Sequence, residues 1–135
     1  MKHFFAIVLA AVCCMALSVP ALAQGMEPIT PYFTHIKSAK GNMTISSSGT
    51  AKVTGGMSIA KGDTCEIIAT IEQEIDGSWQ EVKTFTVSAD RTSTTISKSK
   101  ALYKGYSYRC VFQFNVYEGG TLMESYEAIT DEKWY

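Results

Sequence analysis

The sequence predicts an all-β protein, arranged as a seven-stranded antiparallel sandwich. Segments in which apolar and polar residues alternate recur along the chain after residue 24. Turn-forming Gly, Asn and Asp residues separate these segments at intervals of roughly ten residues, as expected for a sandwich of short strands. No stretch after residue 24 shows the 3.6-residue periodicity of an amphipathic helix.

The clearest strand pattern lies in residues 103–117. Successive side chains of a strand point to opposite faces, so its even positions predict one aromatic, core-facing side. These positions are Tyr106, Tyr108, Cys110, Phe112, Phe114 and Val116. The odd positions are mostly polar. Tyr108, two residues before Cys110, resembles the tyrosine corner of immunoglobulin-like and fibronectin type III domains.

The seven predicted strands are approximate segments bounded by turn signals. They are 42–48, 51–60, 64–75, 78–88, 92–99, 104–117 and 121–130. Gly41-Asn42 is interpreted as a turn before the first strand, and Asp76-Gly77 as the hairpin between the third and fourth.

Three further signals refine these strands. Gly55-Gly56, inside the second strand, predicts a bulge or the close approach of another backbone. Val82 differs in parity from Trp79 and Phe85, which predicts a bulge near Glu81. The fifth strand has few core residues and carries Lys98 and Lys100, as an exposed edge strand would.

Residues 1–23 are predicted to be a secretory signal peptide. Lys2 precedes an apolar stretch from Phe4 to Leu17, and Ala21-Leu22-Ala23 matches a small-residue cleavage site. The alternative is a membrane anchor, but the apolar run is shorter than the roughly 20 residues of a spanning helix. We therefore expect one mature domain, residues 24–135, secreted and either extracellular or associated with the cell surface, with no membrane span after signal cleavage.

The charge is nearly balanced, with 12 Lys and Arg against 13 Asp and Glu. Along the sequence the basic residues are scattered and form no cluster or stripe. Nucleic acid is therefore not expected as a partner.

Cys65 and Cys110 are the two cysteines outside the signal segment. Both have core-facing parity on separate strands, and an exported chain meets oxidising conditions, so an intrachain disulfide is predicted. Buried free thiols are the alternative, and a metal site is disfavoured because only His35 could add a nitrogen ligand and it lies far upstream in the sequence. A fibronectin type III arrangement makes these two strands neighbours in one sheet. The immunoglobulin arrangement makes the cysteines a bridge between sheets, with Trp79 packed on it.

Parts of the sequence resemble a group of small secreted proteins of Firmicutes with a fibronectin III/immunoglobulin-like sandwich. The similar segments are Ile29–Ser38, the Met43–Ser48 strand, Gly49-Thr50-Ala51, Trp79 with Val82, and Lys104–Arg109. The resemblance implies an exported protein of a Gram-positive bacterium, and it supplies no catalytic residues. Many members of that group have ordinary apolar residues in place of Cys65 and Cys110, so it implies that a disulfide here is a local addition.

The sequence predicts neither an enzyme nor a cofactor or metal site. His35 has no cysteine or acidic partner nearby, and Glu72 and Glu74 are two residues apart on one strand face, as on a solvated sheet surface. The favoured hypothesis is a non-catalytic module that binds an extracellular protein or glycan. The alternative is a carbohydrate-binding module, with Trp79, Tyr103, Tyr117, Trp134 and Tyr135 as the candidate ligand-binding aromatics.

Overall fold

The structure is a computed structural model that describes residues 32–135, a region of eight β-strands without a helix. The strands are β1 (Ile36–Ile45), β2 (Thr50–Ile59), β3 (Thr64–Ile75), β4 (Ser78–Ala89), β5 (Ser93–Ala101), β6 (Ser107–Glu118), β7 (Thr121–Ile129) and β8 (Lys133–Trp134). The predicted signal peptide and residues 24–31 lie outside the described residues. Within residues 32–135 no helix has the length and apolarity needed to cross a membrane.

The strands form two antiparallel sheets. One has the order β1-β2-β5, and the other has the order β4-β3-β6-β7 with β8 paired to the start of β6. The prediction of an all-β, seven-stranded antiparallel sandwich is confirmed, and the two-residue β8 is an addition to it. Because β4 pairs with β3, the strand order is the fibronectin type III arrangement. The immunoglobulin placement of the fourth strand is not observed.

The core follows the alternation of β6. Tyr108, Cys110, Phe112, Phe114 and Val116 are all fully buried, as their even parity predicts. The rings of Phe112 and Phe114 stack with their centroids 5.9 Å apart and fill the space between the sheets. Tyr106 is an exception at 37% exposed, because the strand begins only at Ser107. The core-facing prediction for Tyr106 is therefore wrong.

The tyrosine corner is present. The Tyr108 hydroxyl donates a hydrogen bond to the carbonyl oxygen of Tyr103 at 2.7 Å and accepts one from the Tyr103 backbone N–H at 3.1 Å. Both bonds are made by a side chain that is fully buried. They fasten the chain that enters β6 from the other sheet, and they satisfy the polar end of a core residue.

Gly41 lies in the middle of a strand and makes no turn. It pairs with Gly55 in the β1–β2 ladder, and β1 begins six residues before the predicted start of the first strand. A Cβ atom at Gly41 would meet the Phe112 ring at 2.5 Å, and one at Gly55 would be 3.2 Å from the same ring. The glycine pair thus makes room for an aromatic side chain from the opposite sheet. The predicted close approach at Gly55 is confirmed, although its neighbour is a ring as well as a backbone atom, the Lys40 carbonyl oxygen at 3.0 Å.

The predicted bulge near Glu81 is confirmed at Val82. Ile71 pairs with Lys83 and Glu72 pairs with Glu81, which leaves Val82 as the extra residue of β4. The bulge reverses the parity of the strand. Val82 consequently packs against the core with Phe85, whereas Trp79 has the parity of the outer face.

Glu124 closes one open edge of the sandwich. Its carboxylate accepts hydrogen bonds from the backbone N–H groups of Thr34, His35 and Ile36 at 2.8, 2.9 and 2.6 Å. Glu124 belongs to β7 and the three donors lead into β1, so one side chain joins the edges of the two sheets. Burial raises the pKa of Glu124, but the three backbone donors lower it more, and the net pKa is below its ordinary value.

The predicted disulfide between Cys65 and Cys110 is wrong. Strands β3 and β6 are neighbours as expected, but Cys65 pairs with Val116 and Cys110 pairs with Ile71. The antiparallel register therefore separates the cysteines by six residues, roughly 20 Å along the strands, whereas a disulfide needs Cα atoms within about 7 Å. Both cysteines are buried free thiols, the alternative that the sequence left open.

Candidate functional site

The five candidate ligand-binding aromatics differ in exposure and location. Tyr103 and Trp134 are 79% and 72% exposed, and Trp79, Tyr117 and Tyr135 are half-buried. The structure therefore does not gather all five into one site. It places the two tryptophans on the same face of one sheet.

A cross-strand row brings the tryptophans together. Trp79 of β4 lies opposite Glu74 of β3, and Trp134 of β8 lies opposite Ser107 of β6. Residues directly opposite each other in a ladder share a face, and all four have outward parity. Three strand spacings separate the tryptophans, or roughly 14 Å. We call the surface formed by Trp79, Arg109 and Trp134 the tryptophan face.

Arg109 is fixed in the tryptophan face by two contacts. Its guanidinium carbon lies 4.3 Å from the centre of the Trp79 ring, and its Nε donates to Glu72 Oε2 at 2.7 Å. Arginine stacks well on an indole because its planar cation meets the negative ring face. A cation stacked on an aromatic ring and held by a carboxylate is already oriented before any ligand arrives.

Tyr117 lies at the other end of the same sheet and is engaged internally. Its hydroxyl donates to Glu66 Oε1 at 3.0 Å, the oxygen that also accepts from the Asn115 side chain at 2.9 Å. Asn115 in turn accepts from Ser125 at 2.8 Å. Burial, followed by the neighbouring Glu66 carboxylate, raises the pKa of Tyr117. This network holds Tyr117 in place as part of the sheet surface.

Tyr103 and Tyr135 lie at the end of the sandwich where β5 passes to β6. The Tyr135 ring packs against Gly49 in the turn between β1 and β2, and a Cβ atom at Gly49 would overlap with the ring. Its backbone N–H donates to the Tyr106 carbonyl oxygen at 3.1 Å. Tyr135 therefore has a packing role, and Tyr103 is exposed in the connection between β5 and β6.

The outer surface of the other sheet has a different composition. Its outward positions in β1, β2 and β5 are almost all hydroxyl, amide or lysine side chains, and we call this surface the hydroxyl face. They are Ser38, Lys40, Asn42, Thr44, Thr50, Lys52, Thr54, Gly56, Ser58, Ser93, Thr95, Ser97, Ser99 and Ala101.

An open groove of about 750 Å³ crosses the hydroxyl face. Its centre is Gly56, which lies opposite Lys40 in β1 and Thr95 in β5. Ser38 and Ser58 join their hydroxyls across the strands at 2.7 Å on one side of it. The groove exists because β2 has a glycine at this position, whereas β1 and β5 have side chains on either side of it.

Charge is divided unevenly between the two sheets. Strands β1, β2 and β5 contain five lysines and no Asp or Glu: Lys37, Lys40, Lys52, Lys98 and Lys100. Strands β3, β4, β6, β7 and β8 contain seven glutamates against Lys83, Arg109 and Lys133. Basic residues that are scattered in sequence thus share one sheet, although Lys98 and Lys100 have the opposite parity to Lys40 and Lys52. Sequence reasoning missed this because the sheet combines strands that are distant in the chain.

The remaining chemically active side chains are occupied or shielded. Burial, with a smaller contribution from the Glu72 charge, raises the pKa of the Cys110 thiol to about 12, so it is protonated at neutral pH. The Thr34 hydroxyl lies 2.9 Å from His35 Nδ1. Within residues 32–135, no three His, Cys, Asp or Glu side chains are grouped as metal ligands would be.

Comparison with known protein families and with curated proteins found no match to this chain.

Proposed function

We propose that this chain is a secreted, non-catalytic β-sandwich module that binds an extracellular or cell-surface partner through its tryptophan face. The observation that carries this proposal is the stacked Arg109–Trp79 pair, which shares a sheet face with the exposed Trp134. Export is inferred from the basic start, apolar run and Ala-x-Ala pattern of residues 1–23.

The physical basis is preorganisation on a rigid scaffold. Trp, Tyr and Arg are the residues that most often dominate binding energy at protein interfaces. Trp and Tyr bury a large area with few rotatable bonds. The ion pair between Arg109 and Glu72 reduces the freedom that the arginine would lose on binding. The bulge at Val82 supports the site directly, since it turns Trp79 away from the core.

A second candidate is carbohydrate binding by the same face. Trp134 is 72% exposed and offers a flat ring, and the roughly 14 Å between the tryptophans spans several units of a sugar chain. In this case Arg109, Glu72 and Glu74 supply hydrogen-bonding groups between the rings.

The proposal is tested with residues 24–135 on an array of extracellular proteins, mucin glycans and cell-wall polysaccharides. We expect one class of ligand to bind, and Trp134→Ala to weaken that binding about ten-fold or more. Tyr103→Ala is the matched control, since it removes an exposed aromatic outside the tryptophan face. Protein ligands favour the first candidate, and glycans favour the second.

Two results would overturn the proposal. One is unchanged affinity in Trp134→Ala for every ligand that binds. The other is chemical turnover of a bound ligand that is lost in a His35→Ala variant, which would make the chain an enzyme.

A further inference from the structure

We propose that the hydroxyl face binds an anionic polysaccharide, seated in the groove centred on Gly56. This site lies on the sheet opposite the tryptophan face and involves none of its residues. The proposal therefore extends beyond the proposed function and can succeed or fail independently of it.

The first argument is charge. The sheet that carries the groove has five lysines and no carboxylate, although the whole chain carries slightly more acidic than basic residues. Lys40 and Lys52 both have outward parity on the hydroxyl face, roughly 14 Å apart by strand geometry. The connections that flank these strands add little, because Asp63 and Asp90 accompany Lys61 and Arg91, and Lys104 alone is unopposed. The strands of this sheet therefore carry charge of one sign, which concentrates polyanions near it.

The second argument is shape. Gly56 is flanked by Lys40 and Thr95 on the neighbouring strands, so the missing side chain leaves a channel between two polar rows. A Cβ atom at Gly56 would have its nearest neighbour at 3.7 Å, the Thr95 methyl group, so neither packing nor backbone strain requires glycine there. This distinguishes Gly56 from Gly41 and Gly55, whose hydrogens face the crowded core. The glycine keeps the groove open.

The third argument is chemical type. Closely spaced hydroxyl and amide groups donate and accept hydrogen bonds in many directions, which suits a polymer rich in hydroxyls. The hydroxyl face presents no aromatic ring on which a nucleic-acid base would stack. A hydroxylated chain that carries carboxylates or sulfates matches both its hydrogen-bonding groups and its lysines.

The test measures binding of residues 24–135 to polygalacturonate and dextran sulfate, with neutral dextran and a poly-dT oligonucleotide for comparison. We expect both acidic polysaccharides to bind at low salt and to dissociate as salt rises, and the two arms show whether carboxylate or sulfate is preferred. Lys40→Gln with Lys52→Gln should weaken binding about three- to ten-fold. Lys83→Gln with Lys133→Gln changes the net charge equally on the other sheet and should have little effect.

Gly56→Val separates the groove from general electrostatics. The substitution fills the channel without altering charge, and its open surroundings allow the protein to fold, which circular dichroism verifies. We expect at least about a five-fold loss of polysaccharide affinity. Unchanged affinity in Gly56→Val would overturn the groove as the binding site. Absence of polysaccharide binding, or equal or tighter binding of poly-dT, would overturn the choice of ligand. Trp134→Ala should leave the affinity for acidic polysaccharide unchanged. The test of the groove can therefore fail or succeed separately from the test of the tryptophan face.

Discussion

A substitution at Gly41 tests how the two sheets fit together. In Gly41→Ala the new methyl group would lie 2.5–2.6 Å from three atoms of the Phe112 ring, which is fully buried. Carbon atoms pack best at about 3.5–4.0 Å, so the ring or the strand must move by about 1 Å. Phe112 cannot swing away freely, because it stacks on Phe114 in the centre of the core.

The expected cost is moderate. Overpacking of a well-packed core destabilises the folded protein by about 1–3 kcal/mol. Replacing glycine by alanine offsets about 0.4–1 kcal/mol of this loss, because it reduces the conformational entropy of the unfolded chain. The net prediction for Gly41→Ala is a loss of about 1–2 kcal/mol in the free energy of unfolding. Gly56→Ala is the matched control on the neighbouring strand β2. Its Cβ has no neighbour closer than 3.7 Å, so it should be neutral or stabilise by up to about 1 kcal/mol.

Urea unfolding followed by circular dichroism measures both variants, with equal m-values required for the comparison. Combining Gly41→Ala with Phe112→Leu should cost at least about 1 kcal/mol less than the sum of the single changes, because the smaller side chain makes room for the methyl group. A Gly41→Ala protein as stable as the original, or additive effects in the double variant, would refute the packing argument.

Three further predictions concern buried and edge groups. In residues 24–135, a thiol reagent at pH 8 should label neither Cys65 nor Cys110 in the folded protein, because burial raises the pKa of each thiol. Both should be labelled once urea unfolds the protein. If neither is labelled in urea without reductant, the two cysteines form a disulfide. Tyr108→Phe removes both hydrogen bonds to Tyr103 and should lower the free energy of unfolding by about 1–3 kcal/mol, and no loss in urea unfolding would contradict the corner's role. The lowered pKa of Glu124 means that its stabilisation is present above about pH 4.5 and is lost as the pH falls through the folded-state value. The stability difference between the original protein and Glu124→Gln should therefore be present at pH 7 and shrink by pH 3; a difference that does not depend on pH would argue against the ionised clamp.

Alternation along single strands was the part of this fold most accessible from sequence. The even positions of β6 from Tyr108 onward predict the core because side-chain direction in a strand depends only on parity. The bulge at Val82 was accessible for the same reason, since a change of parity within an apolar strand requires an extra residue. Tyr106 was assigned to the core because the start of the strand was placed three residues too early, at 104 and not at Ser107.

Features that depend on how distant strands align were not accessible in this way. Gly41-Asn42 has the local composition of a turn, and only the Phe112 ring from the other sheet explains a glycine in mid-strand. Parity placed Cys65 and Cys110 on the core side correctly, but the register that separates them is set by the whole β3–β6 ladder. The candidate sites share this dependence. Trp134 lies in the same row as Trp79 only because β8 pairs with β6. Strand β8 has two residues and is too short to be recognised by alternation.

The opposite net charges of the strands in the two sheets give residues 32–135 an electric dipole across the sandwich. At low ionic strength the lysine-bearing sheet of one molecule attracts the glutamate-bearing sheet of another. Contact between two different surfaces does not close on itself as a twofold dimer does, so it favours chains of molecules stacked face to back. Physiological salt screens such attraction over about 8 Å, and the stacks should dissolve into single molecules.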